Sequence, residues 1–161
     1  MAIRNAAKAI IYHQGKILLN KYQNEEGRIY YEFPGGGQLQ YETMEEAVIR
    51  ECLEETGYRV KPLRLAAVAE EIYDDEELRK AYPDYTHRIH HIFVAELLDE
   101  NTYERTEPDK YQVDNVWIDV NEVPEYNLIP RRVRNKLLDI LMSGDPVYLG
   151  AVHEYRPGSI E

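Results

Sequence analysis

The chain has 161 residues, a formal net charge of −11 and a pI near 5.0, enough length for one domain with a sizeable core. So acidic a balance argues against bulk binding to a nucleic acid polymer or an anionic membrane, whose partners carry basic footprints. One cysteine excludes an internal disulfide; the start has no signal-like apolar stretch and no run nears the ~18 apolar residues a span needs, so the expected location is the cytoplasm.

Residues 4–12 and 16–22 are apolar runs on either side of His13-Gln14-Gly15, which predicts a hairpin. Residues 24–27 read as a loop, and 29–33 as a strand that runs into Pro34-Gly35-Gly36-Gly37. Glycines there permit positive φ and let backbone N–H groups approach an anionic ligand. Gly35, Gly36 and Gly37 are therefore candidate substrate-binding positions in a phosphate-cradling loop.

The next segment carries the chemistry. Thr43 and Glu46 have capping-box spacing, so a helix is predicted to begin at Met44 and to end at Gly57 in a left-handed cap. At about 100° per residue, Glu51, Glu54 and Glu55 share one face, while Val48, Ile49, Cys52 and Leu53 share another. Like charges at these spacings repel by a few tenths of a kcal/mol per pair, and residues 36–58 hold no lysine. A divalent cation would remove the conflict. Mg2+ or Mn2+ prefers hard oxygen ligands and keeps waters and substrate phosphates in its shell, and Ala47 leaves space above the stripe. A merely solvated acidic face is the plainer alternative, but it accounts for neither the absent lysines nor the adjoining glycines. Glu45 and Glu46 read as first-turn acids that complement the helix dipole, and Cys52 as a core residue.

Downstream, residues 58–72 read as one or two strands interrupted at Pro62. Residues 74–86 are polar, a surface loop with one helical turn that reads as part of a substrate lid or, more commonly, as a solvated connection. Residues 87–98 read as a strand, in which a histidine is more often a packed or edge residue, with Arg88 or His90 the candidate phosphate or base contact; an oxygen-rich metal site needs no imidazole, so zinc is not expected. A polar loop at 99–110 precedes a strand at 111–120 with the only tryptophan. Apolar residues at 133, 137, 138, 141 and 142 predict a helix over 131–142 that covers the second face of the sheet. Residues 145–161 carry no regular pattern and read as an irregular tail.

Gly36, Glu42, Arg50, Glu51, Cys52, Glu54, Glu55, Gly57 and Tyr58 fall on the places of G-x5-E-x7-R-E-U-x-E-E-x-G-U, where U is apolar. The segment resembles the signature of the Nudix hydrolases, the MutT-like family. All seven fixed residues match, against a chance on the order of 10⁻⁸ at a given start. The resemblance implies an α/β Nudix fold, a mixed sheet sandwiched between helices, as a single domain over 1–161. It implies Mg2+ (or Mn2+) held by Glu51, Glu54, Glu55 and Gly36, with Arg50 and Glu42 orienting the ligand carboxylates. The catalytic set is then Glu51, Glu54, Glu55 and Arg50; the substrate-binding set is Gly35, Gly36, Gly37, Arg88 and Tyr73. Tyr73 lies fifteen residues past the motif, roughly where dinucleoside-polyphosphate members often carry a tyrosine.

The reaction so implied is Mg2+-dependent hydrolysis of a pyrophosphate bond in a nucleoside diphosphate linked to another moiety: a nucleoside triphosphate, dinucleoside polyphosphate or nucleotide sugar. The general base is Glu51 or an acid of residues 104–109, because Gln112 stands where many relatives place a further acid. Many relatives are homodimers, which this chain is free to share. The competing class is a nucleotide-sensing module that keeps the fold without turnover; an incomplete acidic stripe would favour it, and here the stripe is whole.

Overall fold

In the computed structural model, residues 2–159 are described. Strands β1 (Arg4–His13) and β2 (Lys16–Gln23) form the expected hairpin. Its turn has both central residues at positive φ, Gln14 at 49° and Gly15 at 79°, the twist that a two-residue connection between antiparallel strands demands. Alternation along β1 and β2 sends side chains to two separate cores. Ala7, Ala9, Ile11 and Leu18 face one, and Ile10, Ile17 and Leu19 face the other.

Two helices cover those faces. Helix α1 (Met44–Thr56) lays Ala47, Val48 and Cys52 on the first core, and α3 (Arg131–Met142) lays Val133, Leu137 and Ile140 on the second. Between them stand β3 (Ile29–Glu32), β5 (Val60–Tyr73), β6 (His87–Leu97) and β7 (Gln112–Asp119). The short β8 (Leu128–Ile129) and β9 (Val147–Glu154) close the two ends of the sheet. The strand order is β8-β3-β2-β1-β6-β5-β9, with β7 also pairing β2. β1–β6, β3–β8 and β5–β9 are parallel and the rest antiparallel, so the sheet is mixed and both faces carry a helix, an α/β/α sandwich. Against the one helical turn expected within 74–86, helix α2 (Glu76–Ala81) is slightly longer, six residues.

Four expectations change. The glycine run is not a loop: Gly35–Gly37 form strand β4, antiparallel to β1, with Gly36 opposite Ala7. β5 passes through Pro62 without a break, because register shifts beside Pro62 and Leu65 form bulges that absorb the missing donor. The tail is not irregular, since β9 runs parallel to β5 from Ala67↔Val147 to Tyr73↔Glu154. Its residues are mostly half-exposed and Gly150 (φ 75°) interrupts the run, so an edge strand with no buried alternation leaves little pattern to read. Finally, α1 buries a narrower apolar side than its periodicity suggests: Ile49 is 43% exposed, and Ala47, far from leaving space, is packed in the core. Residues 160 and 161 of the expected tail lie outside the described range.

Candidate active site

Helix α1 is fixed at both ends before it meets anything else. Thr43 and Glu46 complete the capping box, and Gly57 at φ 74° returns its N–H to the Leu53 carbonyl. This sets which way its acids point. The 43% exposed Ile49 faces solvent, and the opposite side meets the β4 strand.

Arg50 ties the acids together. Its Nε donates to Glu42 Oε1 at 2.7 Å and its Nη2 to Glu42 Oε2 at 2.9 Å, a two-pronged grip. The same Nη2 donates to the Gly37 carbonyl at 3.0 Å, while Nη1 donates to Glu51 at 2.8 Å and Glu54 at 3.2 Å. One guanidinium thus relieves the repulsion between Glu51 and Glu54 and joins both to the glycine strand.

Glu55 is held differently. It is 2% exposed, and its Oε2 accepts from the Gly35 N–H at 2.9 Å and from Asn20 Nδ2 at 2.7 Å. Asn20 in turn accepts from Asn115 at 2.7 Å. Burial pushes the Glu55 carboxyl up to about 8 against the pull of Lys8, and Asp109 and Glu51 add to the rise. Burial also raises Glu51, against the opposing pull of Arg50. Lys8 lies beneath the same strand and donates to the Gly35 carbonyl at 2.6 Å and to Glu32 at 3.1 Å.

These groups open on a cleft of about 530 Å³. Glu51, Glu54, Glu55, Arg50, Gly35 and Gly36 form one wall, and Tyr73, Arg88, Lys8 and Glu32 the floor; Leu78, Tyr82 and Tyr85 approach from the 74–86 segment. Glu107 and Asp109 border it as well, with Asp109 accepting from the Tyr22 hydroxyl at 2.9 Å. Pro157 reaches it from beyond β9.

The glycines serve the site by being small. A Cβ on Gly36 would lie 2.6 Å from the Glu51 carboxylate, and one on Gly35, at φ 130°, would lie 2.1 Å from the Ala7 carbonyl oxygen. Contrary to expectation, Gly35 does not offer its N–H to a ligand, because Glu55 takes it. Gly37 lines the adjoining groove and not the cleft, as alternation along β4 requires.

Arg88 and Tyr73 do reach the cleft, but neither is free. Arg88 pairs with the buried Glu71 and donates to the Tyr73 hydroxyl at 2.6 Å. His90, at 1% exposure, is turned to Glu71 at 3.0 Å and takes no part in the cleft, so its expected contact with phosphate or base is withdrawn. Gln112 donates to the Glu55 backbone carbonyl at 2.9 Å, closing the α1 end where an acid was sought. Sequence reasoning passed over Lys8, Asn20 and Glu32. The legible signal for the first two was a polar residue interrupting an otherwise apolar strand.

Among the described residues, no three His, Cys, Asp or Glu side chains converge as metal ligands, since Arg50 draws Glu51 and Glu54 to itself. The donor set nonetheless suits a hard divalent cation. Carboxylates of Glu51, Glu54 and Glu55 border one cleft with Asp109, and a cation there would counter the burial and the neighbouring Asp109 and Glu51 charges that raise the Glu55 carboxyl.

Residues 2–137 match the NUDIX domain. A NUDIX hydrolase from Nitrosomonas europaea superimposes with a TM-score of 0.67 at 20% identity, covering 86% of this chain and 88% of that one. An ADP-ribose pyrophosphatase from Streptococcus suis gives 0.63 at 18% identity, over 91% of this chain and 99% of the other. A MutT NUDIX hydrolase from Burkholderia pseudomallei gives 0.55 at 26% identity, over 75% and 86%.

Proposed function

The chain belongs to the NUDIX family, and we propose that it is a pyrophosphohydrolase that splits the pyrophosphate bond of a nucleoside diphosphate linked to a second moiety. Mg2+ or Mn2+ is the proposed cofactor, with Glu51, Glu54, Glu55 and the Gly36 carbonyl as its protein ligands. When bound, the cation supplies charge neutralisation at the bridge and a more acidic water.

The chain's own residues do the rest. Arg50, anchored by Glu42, fixes the direction of Glu51 and Glu54, which limits how far these acids have to turn to hold a cation at the bridge. Asn20 and the Gly35 N–H fix Glu55. Water attacks one bridge phosphorus, the P–O bond to the bridging oxygen breaks, and each product leaves with a terminal phosphate. The water's proton passes to Glu51 or to an acid of the 104–109 loop; Asp109 and Glu107 are the members of that loop that border the cleft. Tyr73 and Arg88, which share a hydrogen bond at the cleft, are the proposed side-chain contacts to substrate, and Gly35 and Gly36 line the cleft with backbone alone. The single, buried cysteine fits a reducing compartment, and the cytoplasm is the proposed location.

The observation that carries this reading is the five-fold grip of Arg50 on Glu42, Glu51, Glu54 and the Gly37 carbonyl at the wall of a cleft. The test replaces Glu54 and Glu55 together by Gln and follows phosphate-bond hydrolysis with Mg2+ across nucleoside triphosphates, dinucleoside polyphosphates and nucleotide sugars. Loss of metal charge stabilisation worth several kcal/mol should lower the rate by at least ~10³-fold. Undiminished turnover in the double variant sinks the assignment.

A further inference from the structure

Five cationic side chains border the cleft: Arg4, Lys8, Arg50, Arg88 and Lys110. Three are committed to acids, Lys8 to Glu32, Arg88 to Glu71 and Glu32, and Arg50 to Glu42, Glu51 and Glu54. Among the described residues, Arg4 and Lys110 have no carboxylate within ion-pair distance, in a chain with 30 acids against 19 bases. Lys110 leans on the Tyr111 ring at 4.9 Å in open solvent, where its charge is screened.

Arg4 is built in. Its guanidinium carbon lies 4.2 Å from the centre of the Tyr85 ring, and a Cβ on Gly37 would come within 2.5 Å of its Nη2. The third glycine of the run is therefore what admits the guanidinium to this place. A stacked guanidinium keeps its N–H edge free for a planar or tetrahedral anion. Arg4 is also the register partner of Arg88 on the neighbouring parallel strand, so two like charges leave the sheet side by side. Acids neutralise Arg88, whereas Arg4 stacks on the Tyr85 ring with no acid paired to it among the described residues. Its position borders both the cleft and the groove next to it.

We propose that Arg4, racked on Tyr85, determines substrate choice by holding the phosphate that lies beyond the hydrolysed bridge, favouring nucleoside triphosphates and dinucleoside polyphosphates over nucleoside diphosphates linked to a neutral sugar. This rests on the hydrolase reading above. A plainer role is to pin Tyr85, and with it the 74–86 segment, to β1; an apolar side chain of equal length would fill that role.

The test is Arg4→Met, which keeps length and ring contact but removes the charge, with Arg4→Lys beside it. Arg4→Met should raise KM for the polyphosphate substrates about tenfold or more, as a lost charged hydrogen bond does, with kcat unchanged and KM for a nucleotide linked to a neutral sugar unmoved. Arg4→Lys should recover part of the loss. Binding of inorganic tripolyphosphate, followed by calorimetry in EDTA where nothing turns over, should weaken about tenfold in Arg4→Met. KM values that rise alike for both substrate classes, or for neither, overturn the proposal, as does unchanged tripolyphosphate binding. A wild-type protein that hydrolyses nothing on the panel refutes the hydrolase reading instead, and the calorimetry still decides for Arg4.

Discussion

At residue scale, Arg50 shows what guanidinium geometry provides that an ammonium cannot. It reaches two oxygens of Glu42, one each of Glu51 and Glu54, and the Gly37 carbonyl through a rigid planar fork. A lysine offers a single point charge. Arg50→Lys should therefore retain most of the fold yet lower kcat about 100-fold, the usual scale for losing an orienting partner of metal ligands; turnover unchanged within twofold would remove the orienting role. Beneath the floor, Glu71 makes a second, separable prediction. Burial alone would raise its carboxyl, but Arg88 and His90 hold it well below its ordinary 4.5. Because the folded value is the lower one, its contribution to stability is complete above about pH 4.5 and is lost as pH falls towards the folded value. Urea unfolding from pH 7 to pH 3 should show the gap between the wild type and Glu71→Gln narrowing below pH 4.5. A gap that stays constant down to pH 3 would mean that Glu71 carries no charge in the native protein.

At the scale of elements, β4 separates folding from chemistry within two neighbouring glycines. Gly35 has φ 130° and faces the rigid Ala7 carbonyl, whereas a side chain on Gly36 would meet only the movable end of Glu51. Gly35→Ala should cost about 3 kcal/mol or more in stability. Gly36→Ala should leave the urea midpoint near the wild type while cutting turnover, because Glu51 must swing away. Equal stability losses in the two variants would contradict this division. The same elements show what the sequence made legible. Helix α1 could be placed to the residue because Thr43, Glu46 and Gly57 act on neighbours within four positions. β4 and β9 could not, since their identity as strands depends on β1 and β5, remote in sequence. The acids' shared face was readable from spacing, but their unlike surroundings were not: nothing local to α1 announces that Asn20 and Gly35 hold the buried Glu55 while Arg50 ties Glu51 and Glu54 to the glycine strand.

On the scale of the whole molecule, the net charge of −11 and the acidic cleft predict similar but distinguishable responses to cations. Any salt screens diffuse repulsion within about one Debye length, so NaCl should stabilise the protein modestly and without saturation. A cation held by Glu51, Glu54 and Glu55, as proposed, would bind the folded state alone, because those acids border one cleft only once α1 is packed against the β4 strand. Mass action then gives about 2.7 kcal/mol at a hundredfold excess over Kd, which for a chain of this size corresponds to a rise in Tm of roughly 5–10 °C. Thermal unfolding in Mg2+, matched in ionic strength with NaCl, should show that extra rise with saturation, and EDTA should abolish it. In the Glu54→Gln, Glu55→Gln double variant the Mg2+ curve should collapse onto the NaCl curve, since only diffuse screening is left. Coincidence of the two curves in the wild type would mean that the acidic wall recognises no cation in particular, and the chemistry proposed for the cleft would lose its foundation.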